Sequence, residues 1–186
     1  MPIKQLFDKL NKRIMKNLRK MMLLLAVLFV ATAAFAQGDA NELKVGDKMP
    51  QFVLKSETYG NVNPADLKGK VVLVSLFATW CGPCQLELAE VEKQLWPKFK
   101  DNKNFKLLVI GREHTDADLK KYNERKKFTF PLYPDPKREV FSKFAGKSIP
   151  RAYLIDKTGK VIYASVGFEK SEFAELMKKI EEALKK

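Results

Sequence analysis

Two apolar runs without polar alternation constrain the fold more than any other feature of the sequence. They occupy residues 70–77 and 105–110, and both consist mainly of aliphatic residues and Phe. Continuous runs of this kind are typical of strands that are buried on both faces. Between them, residues 83–102 carry apolar side chains at three- and four-residue spacing, which predicts a helix that Pro97 ends or kinks. The strand–helix–strand order favours a parallel pair in an α/β sheet.

The remainder of the chain extends this unit. The sequence predicts an N-terminal β-hairpin within residues 45–63, helices at 115–127, 136–144 and from 171 onward, and strands at 152–156 and 161–166. A short link containing Gly159 joins the last two strands, which indicates an antiparallel hairpin. Residues 128–131 are too short and too interrupted for a central strand. We therefore predict one α/β domain over residues 45–186, with a mixed sheet and helices on both faces.

The first residues have the pattern of an export signal. Residues 1–20 are strongly basic, residues 21–34 are apolar, and Ala34-Phe35-Ala36 is the small-x-small pattern that precedes cleavage. The apolar run is about 14 residues long, against the ~20 that span a bilayer. We predict a signal peptide over residues 1–36, cleaved after Ala36, followed by a polar leader over 37–44. An uncleaved inner-membrane anchor and translation from Met15 remain open alternatives.

The net charge of +13 belongs largely to this segment. Residues 1–36 hold seven of the basic residues and one of the acidic ones, so the exported chain would carry +7. The basic residues that remain are interleaved with acidic ones, which is typical of a solvated surface. We therefore expect no nucleic-acid partner.

Trp80-Cys81-Gly82-Pro83-Cys84 lies where the first buried strand gives way to a helix. A cysteine in the first helical turn faces free backbone N–H groups and the positive end of the helix dipole, which favour its thiolate. Cys81 is therefore the predicted nucleophile, and Cys84 is close enough to resolve a mixed disulfide. Pro83 suits the start of a helix, and Gly82 allows a partner chain to approach.

Other uses of the cysteines fit less well. Gln85 stands where a haem-attachment motif needs histidine, and two cysteines with one histidine lack a fourth ligand for structural zinc. A purely structural disulfide across four residues would constrain little chain entropy. We predict no metal site, and we expect His114 to be a surface residue at a helix entry with no part in catalysis.

The cysteine motif and several later elements together resemble the exported TlpA/ResA branch of thioredoxin-like proteins, which is related to the AhpC/TSA proteins. The resemblance covers about residues 45–185 and rests on residues 77–84, Glu87, residues 130–132, Asp135, residues 148–156 and residues 159–162. It implies a thioredoxin-like fold with an added N-terminal hairpin. It also implies a dithiol reductase that acts at the outer side of a membrane, in cytochrome c maturation or disulfide repair.

The resemblance assigns roles to further residues. It implies a cis peptide bond before Pro150, with Pro150 against the cysteine pair and the backbone of Ile149 offered to an extended substrate. Trp80, Gly82 and Pro83 would complete the substrate-binding surface. Glu87 corresponds to a glutamate that accepts the proton of the resolving thiol. Ser75 departs from the family, which has an acid or asparagine at this place, so proton transfer would fall to Glu87 or water.

The predicted function is therefore reduction of disulfides in exported, periplasmic proteins by the Cys81/Cys84 dithiol. No small-molecule cofactor is expected, and a membrane-bound electron donor would regenerate the dithiol. Three alternatives remain: an oxidase or isomerase of the same fold, a thiol peroxidase, and a non-enzymatic metallochaperone. The peroxidase pattern requires a hydroxyl three residues before the cysteine, where this chain has Ala78.

Overall fold

The computed structural model describes residue 3, residues 13–18 and residues 42–186. The chain divides into two compact units, Met1–Ala40 and Asn41–Lys186. Residues 13–18 of the first unit are helical. The predicted apolar signal segment and the cleavage site after Ala36 lie outside the described residues. Among the residues that are described, no helix is long and apolar enough to cross a membrane.

A five-stranded mixed sheet forms the centre of the second unit. Its strands are β1 (Val71–Phe77), β2 (Phe105–Arg112), β3 (Leu132–Asp135), β4 (Arg151–Ile155) and β5 (Val161–Val166). Their spatial order is β3-β2-β1-β4-β5. Strand β2 runs parallel to β1 and β3, whereas β4 runs antiparallel to β1 and β5. The two apolar runs are thus the adjacent parallel strands of the sheet centre, and the predicted β4–β5 hairpin is confirmed.

Alternate residues of β1 build two hydrophobic cores on opposite faces of the sheet. Leu73 and Phe77 belong to the core that holds both cysteines. Val74 and Leu76 belong to the other core, where Phe141 and Phe144 pack. All seven residues of β1 are buried, so the absence of polar alternation in the sequence reflects burial on both faces.

Three of the described helices that cover the sheet are at least nine residues long, and the other three are four residues long. In chain order, the six are α1 (Pro64–Leu67), α2 (Gly82–Glu90), α3 (Trp96–Phe99), α4 (Asp116–Lys126), α5 (Phe141–Phe144) and α6 (Lys170–Lys185). Helices α2, α4 and α6 place their buried residues in the core that holds the cysteines, and α1 and α5 place theirs in the other. Helices therefore cover both faces, as predicted.

A π-helical turn, Val91–Leu95, joins α2 to α3. Pro97 has no N–H to donate to the carbonyl of Lys93, so the regular ladder is interrupted at this point. The Trp96 N–H instead bonds the Val91 carbonyl, five residues back. The irregularity predicted at Pro97 is therefore present as a π turn just before it.

The predicted N-terminal hairpin is not confirmed. Leu54 and Val62 form a single isolated bridge with two backbone hydrogen bonds of 3.0 and 2.9 Å. Between these two residues, the backbone N–H groups of Thr58 and Tyr59 donate to the side-chain hydroxyl of Ser56 rather than to an opposing strand. A turn held by side chains has replaced the expected cross-strand ladder.

The segment around β3 also differs from its prediction. Residues 128–131 form no strand, as expected, but Leu132–Asp135 adds an edge strand beside β2. The helix expected over residues 136–144 is reduced to Phe141–Phe144. The Asp135 carboxylate accepts the N–H groups of Val140 and Phe141 at 3.2 and 2.7 Å, which fixes the entry to this short helix.

Candidate active site

The two cysteines lie at the start of α2, immediately after the loop that leaves β1. They are joined by a disulfide bond. Cys81 is the N-cap residue of α2, and its Sγ accepts the Cys84 N–H at 3.2 Å. Pro83 occupies the first helical turn, where its missing N–H removes no hydrogen bond. The local sequence therefore forms the helix start that the motif predicts.

The two sulfurs differ in accessibility. Cys81 is 5% exposed and Cys84 is fully buried, while Gly82 and Pro83 between them are exposed. A reactant in solution can reach only the Cys81 side of the pair. The free N–H groups and dipole at the N-terminus of α2 favour negative charge on this sulfur.

Glu87 lies one helical turn after Cys84 and is buried. The Ser75 hydroxyl of β1 donates a hydrogen bond of 2.7 Å to its Oε1. Burial raises the pKa of the Glu87 carboxyl from 4.5 to about 7, although the hydrogen bond from Ser75 lowers it. At neutral pH this carboxyl can therefore both accept and donate a proton.

Trp80 presents its indole at the surface beside the cysteine pair. The side chain is 62% exposed, and the Arg112 guanidinium lies 5.3 Å from the ring centroid. Arg112 also packs over Phe141 and donates from Nη1 to the Lys147 carbonyl at 2.6 Å. It therefore connects the loop that carries Trp80 with the segment that leads to Pro150.

The Ile149–Pro150 peptide bond is cis, as the resemblance implies. Pro150 is buried, and its carbonyl accepts the Gly167 N–H at 2.9 Å. Ile149 is half-buried and packs against the core that contains both cysteines. The structure thus brings the cis-proline segment and the cysteine motif to one hydrophobic core.

His114 does not lie where the sequence predicts it. It is 8% exposed, and its Nε2 accepts the backbone N–H of Thr79, two residues before Cys81, at 3.0 Å. The expectation of a surface histidine is wrong because the β2–α4 loop packs against the loop after β1. Burial lowers the pKa of His114 below 6.5, while the carboxylates of Asp118 and Glu113 raise it.

The sequence prediction missed the contacts of His114 and Arg112 with the cysteine loop. The predicted order of the strands could have indicated both contacts. Because β1 and β2 are parallel neighbours, their carboxyl ends meet at the same edge of the sheet. The residues at these two strand ends and just after them are therefore expected to lie close together, and they do.

The described side chains do not form a metal centre. Within residues 42–186 and the described part of the N-terminal unit, no group of three or more His, Cys, Asp and Glu side chains is arranged to hold a metal ion.

The sequence matches the AhpC/TSA family over residues 45–164. The thiol-disulfide oxidoreductase ResA of Bacillus thuringiensis subsp. konkukian is 30% identical over 140 residues, which are 75% of this chain and 80% of the relative. A ResA of Bacillus cereus is 27% identical over 164 residues, 88% and 93% of the two chains.

Solved structures agree with these relatives. A provisionally assigned protein disulfide isomerase from Bacteroides thetaiotaomicron has a TM-score of 0.74 and 34% identity, covering 77% of this chain and 92% of that one. A provisionally assigned thiol:disulfide interchange protein DsbE from Chlorobium tepidum has a TM-score of 0.68 and 32% identity, covering 77% and 99%. The predicted thioredoxin-like fold is confirmed. The chain belongs to the AhpC/TSA family and, within it, is a thiol-disulfide oxidoreductase of the ResA type.

Proposed function

We propose that this oxidoreductase works as an exported reductase, which transfers electrons from the Cys81/Cys84 dithiol to disulfides of other exported proteins. The observation that carries the proposal is the placement of Cys81 at the N-cap of α2, above a fully buried Cys84. The Gly-Pro pair between the cysteines, as in reducing thioredoxins, supports the direction of electron flow.

The first step is attack by the Cys81 thiolate on one sulfur of the substrate disulfide. A bond forms between Cys81 Sγ and that sulfur, the substrate S–S bond breaks, and the other substrate sulfur leaves as a thiolate. The N-terminal end of α2 supports this step because it stabilises the thiolate over the thiol at Cys81.

The second step releases the substrate. Cys84 loses its proton, and its thiolate attacks Cys81 Sγ, forming the Cys81–Cys84 disulfide and expelling the second substrate sulfur as a thiolate. Glu87 is the proposed acceptor of the Cys84 proton. Its raised pKa, about 7, supports this role, because a carboxyl of ordinary pKa is a much weaker base.

The proposed substrate surface consists of Trp80, Gly82, Pro83, Ile149 and Pro150. Trp80 offers an exposed aromatic face beside the cysteines. Gly82 adds no side chain, and a Cβ placed on it would meet nothing within 4 Å. An extended segment of a disulfide-containing protein could therefore approach the Cys81 side of the pair along the backbone of Ile149.

The proposed cellular setting rests on the N-terminal sequence. A basic segment, an apolar run over residues 21–34 and a small-x-small pattern that ends at Ala36 support export to the periplasm. There, the oxidised pair must regain two electrons after each cycle, for which we propose a membrane-bound donor and no small-molecule cofactor. Cytochrome c maturation and disulfide repair are the proposed processes, because both consume reduced dithiols outside the cytoplasm.

The reduction potential of the Cys81–Cys84 pair tests the direction. The protein is equilibrated in glutathione or dithiothreitol buffers of defined potential, and its thiol content is measured. A value near −270 mV, roughly that of thioredoxin, supports the reductase. A value near about −120 mV would identify a disulfide donor and overturn the proposed direction.

Export is tested separately. Cell fractionation followed by sequencing of the N-terminus should find the chain outside the cytoplasm, beginning at Gln37. A membrane-bound chain that retains the apolar run would contradict cleavage after Ala36 and support the anchor alternative.

A further inference from the structure

His114 is buried beside the cysteine loop but has no part in the proposed dithiol chemistry. It lies in the loop between β2 and α4, and its Nε2 accepts the Thr79 N–H at 3.0 Å. An imidazole nitrogen accepts a hydrogen bond only through its lone pair, so Nε2 carries no proton in this arrangement. The contact therefore requires a neutral imidazole protonated on Nδ1.

Close packing holds the imidazole in place. A Cβ on Gly111 would lie 3.3 Å from His114 Cδ2, 3.3 Å from Phe77 Cε1 and 2.8 Å from Leu119 Cδ2. The ring centroids of His114 and Phe77 are 6.5 Å apart. A side chain at position 111 would have to displace Leu119 and press on His114 and Phe77, so the imidazole packs closely against the backbone at the end of β2.

The peptide groups of Thr79 are held from both sides. His114 takes the N–H, and Gln85 donates from Nε2 to the carbonyl at 3.4 Å. Gln85 is in turn fixed by Tyr122, whose hydroxyl donates to its Oε1 at 2.6 Å. A further backbone hydrogen bond in the same loop runs from the Cys81 N–H to the Ala78 carbonyl at 3.1 Å.

We propose that His114 is a positioning residue for the nucleophile. By accepting the Thr79 N–H, its neutral imidazole fixes the loop that delivers Cys81 to the N-terminus of α2. It does not touch the reacting sulfurs and transfers no proton. The proposal concerns the reactivity of Cys81 and is independent of the direction of electron flow, so failure of the reductase proposal would leave it standing.

The wild-type protein offers a direct test. In isotope-labelled full-length protein at about pH 7, the nitrogen chemical shifts of the His114 ring report which nitrogen carries the proton. We expect an unprotonated Nε2 and a scalar coupling across the hydrogen bond to the Thr79 amide nitrogen. A proton on Nε2 would overturn the proposal, and this result does not depend on whether any variant folds.

Two substitutions separate positioning from packing. His114→Leu removes the acceptor and fills the buried site with an apolar side chain, whereas His114→Gln can place an amide oxygen where Nε2 lies. The readouts are the pKa of the Cys81 thiol, from thiolate absorbance, and the rate at which the reduced protein attacks dithiodipyridine. We expect His114→Leu to slow attack about tenfold and raise the thiol pKa, because the loop loses a buried hydrogen bond. His114→Gln should restore most of the attack rate and return the Cys81 pKa most of the way to its wild-type value.

Tyr153→Phe provides the matched control. Its hydroxyl donates to the Phe144 carbonyl at 2.9 Å in the other core, so the variant also loses one buried hydrogen bond. It should lower stability and leave the Cys81 pKa and attack rate unchanged. Unchanged values in His114→Leu, or equal losses in His114→Leu and His114→Gln, would show a structural role only and overturn the proposal.

Discussion

The pair formed by Ser75 and Glu87 is the least conventional feature of the site at the scale of single residues. A serine hydroxyl supplies one donor, and it bonds Oε1 of a carboxyl that is otherwise in the core. One hydrogen bond does not offset the loss of hydration, so the pKa of Glu87 rises to about 7. The chain thus keeps a titratable group near the buried cysteine although β1 itself carries no acid.

Glu87→Gln should change the pH dependence of stability. Folding raises the Glu87 pKa from 4.5 to about 7, so the folded chain binds the proton more tightly. The stabilisation from this protonation is complete below about pH 4.5 and declines as the pH rises to about 7. Urea unfolding of the oxidised variant should match the wild type in acid and exceed it above neutrality, by on the order of 3 kcal/mol.

Glu90→Gln is the control for this measurement, because Glu90 lies on the same helix outside the hydrophobic core. It removes one carboxylate without altering the buried site. A stability difference between Glu87→Gln and the wild type that stays constant from acid to alkaline pH would contradict the raised pKa.

Ser75→Ala should raise the pKa of Glu87 above about 7. The substitution removes the one interaction that favours the ionised carboxyl and leaves its burial unchanged. The carboxyl stretching band in infrared spectra, followed against pH and assigned with Glu87→Gln, measures this pKa. Loss of the hydrogen bond should also lower stability by about 1 kcal/mol. A pKa that falls would mean that another donor replaces the hydroxyl.

The sequence predicts the residues of the site better than their surroundings. Cys81 and Cys84 are predicted from a motif at fixed spacing at the start of one helix, and Glu87 from a family resemblance three residues further on, and spacing is a local property. The burial of Glu87 and the Thr79–His114 contact depend on which loops meet across the sheet. His114 therefore looks like an ordinary helix-entry residue until the register of β1 and β2 is known.

At the scale of elements, the loops after β1 and β2 form one unit at the carboxyl edge of the sheet. Two contacts from the end of β2 and its loop reach the loop after β1: His114 accepts the backbone N–H of Thr79, and Arg112, the last residue of β2, lies over the ring of Trp80. Arg112 also bonds the Lys147 carbonyl, shortly before the cis peptide bond. Arg112 thus links the two chain segments that form the proposed substrate surface, residues 80–83 and residues 149–150.

Arg112→Met should loosen Trp80 and weaken substrate binding. Methionine keeps an apolar stem but loses the cation over the indole and the bond to Lys147. The Trp80 ring is exposed, and a cation–π contact at such a site contributes about 0.5–1 kcal/mol, so KM for a protein disulfide should rise about two- to fivefold. Time-resolved fluorescence anisotropy in a Trp96→Phe background should show faster motion of the Trp80 indole.

Arg138→Met is the matched control for this substitution. Arg138 packs 4.9 Å from the centroid of the same Phe141 ring, but its other partners are Glu113 and the Gly146 carbonyl rather than Trp80. Its removal should leave Trp80 anisotropy and KM unchanged. If both substitutions change Trp80 anisotropy and KM equally, the effect comes from altered packing of Phe141 and not from the contact between Arg112 and Trp80.

The sequence predicts the central strands well, but it predicts poorly the elements whose hydrogen bonds depend on tertiary contacts. The central strands are recognisable because burial on both faces demands apolar residues throughout. Strand β3 is four residues long and contains Pro134, so its pairing with β2 is a tertiary property. The predicted N-terminal hairpin is absent because its turn also depends on a tertiary contact. The backbone of the turn donates to the Ser56 hydroxyl, and this hydroxyl donates to Asp116 of α4 at 2.7 Å.

At the scale of the whole molecule, charge and hydrophobicity separate along the chain. The N-terminal 36 residues contribute six of the thirteen net positive charges and the longest apolar run. Among the described residues, those that build the two hydrophobic cores lie within Leu43–Leu184. The proposed export segment and the segment that carries the Cys81–Cys84 pair therefore have different physical requirements, and they do not share residues.

A chain of residues 37–186 should accordingly fold as the full-length chain does. Every core residue in the described part of the chain is retained, so the free energy of unfolding in urea should differ by no more than about 0.5 kcal/mol, and the Cys81–Cys84 reduction potential should be unchanged. Binding to lipid vesicles should be lost with the apolar run. A truncated chain that unfolds at lower urea concentration would show that the first 36 residues stabilise the catalytic unit, and residues 1–36 would then be part of the working protein.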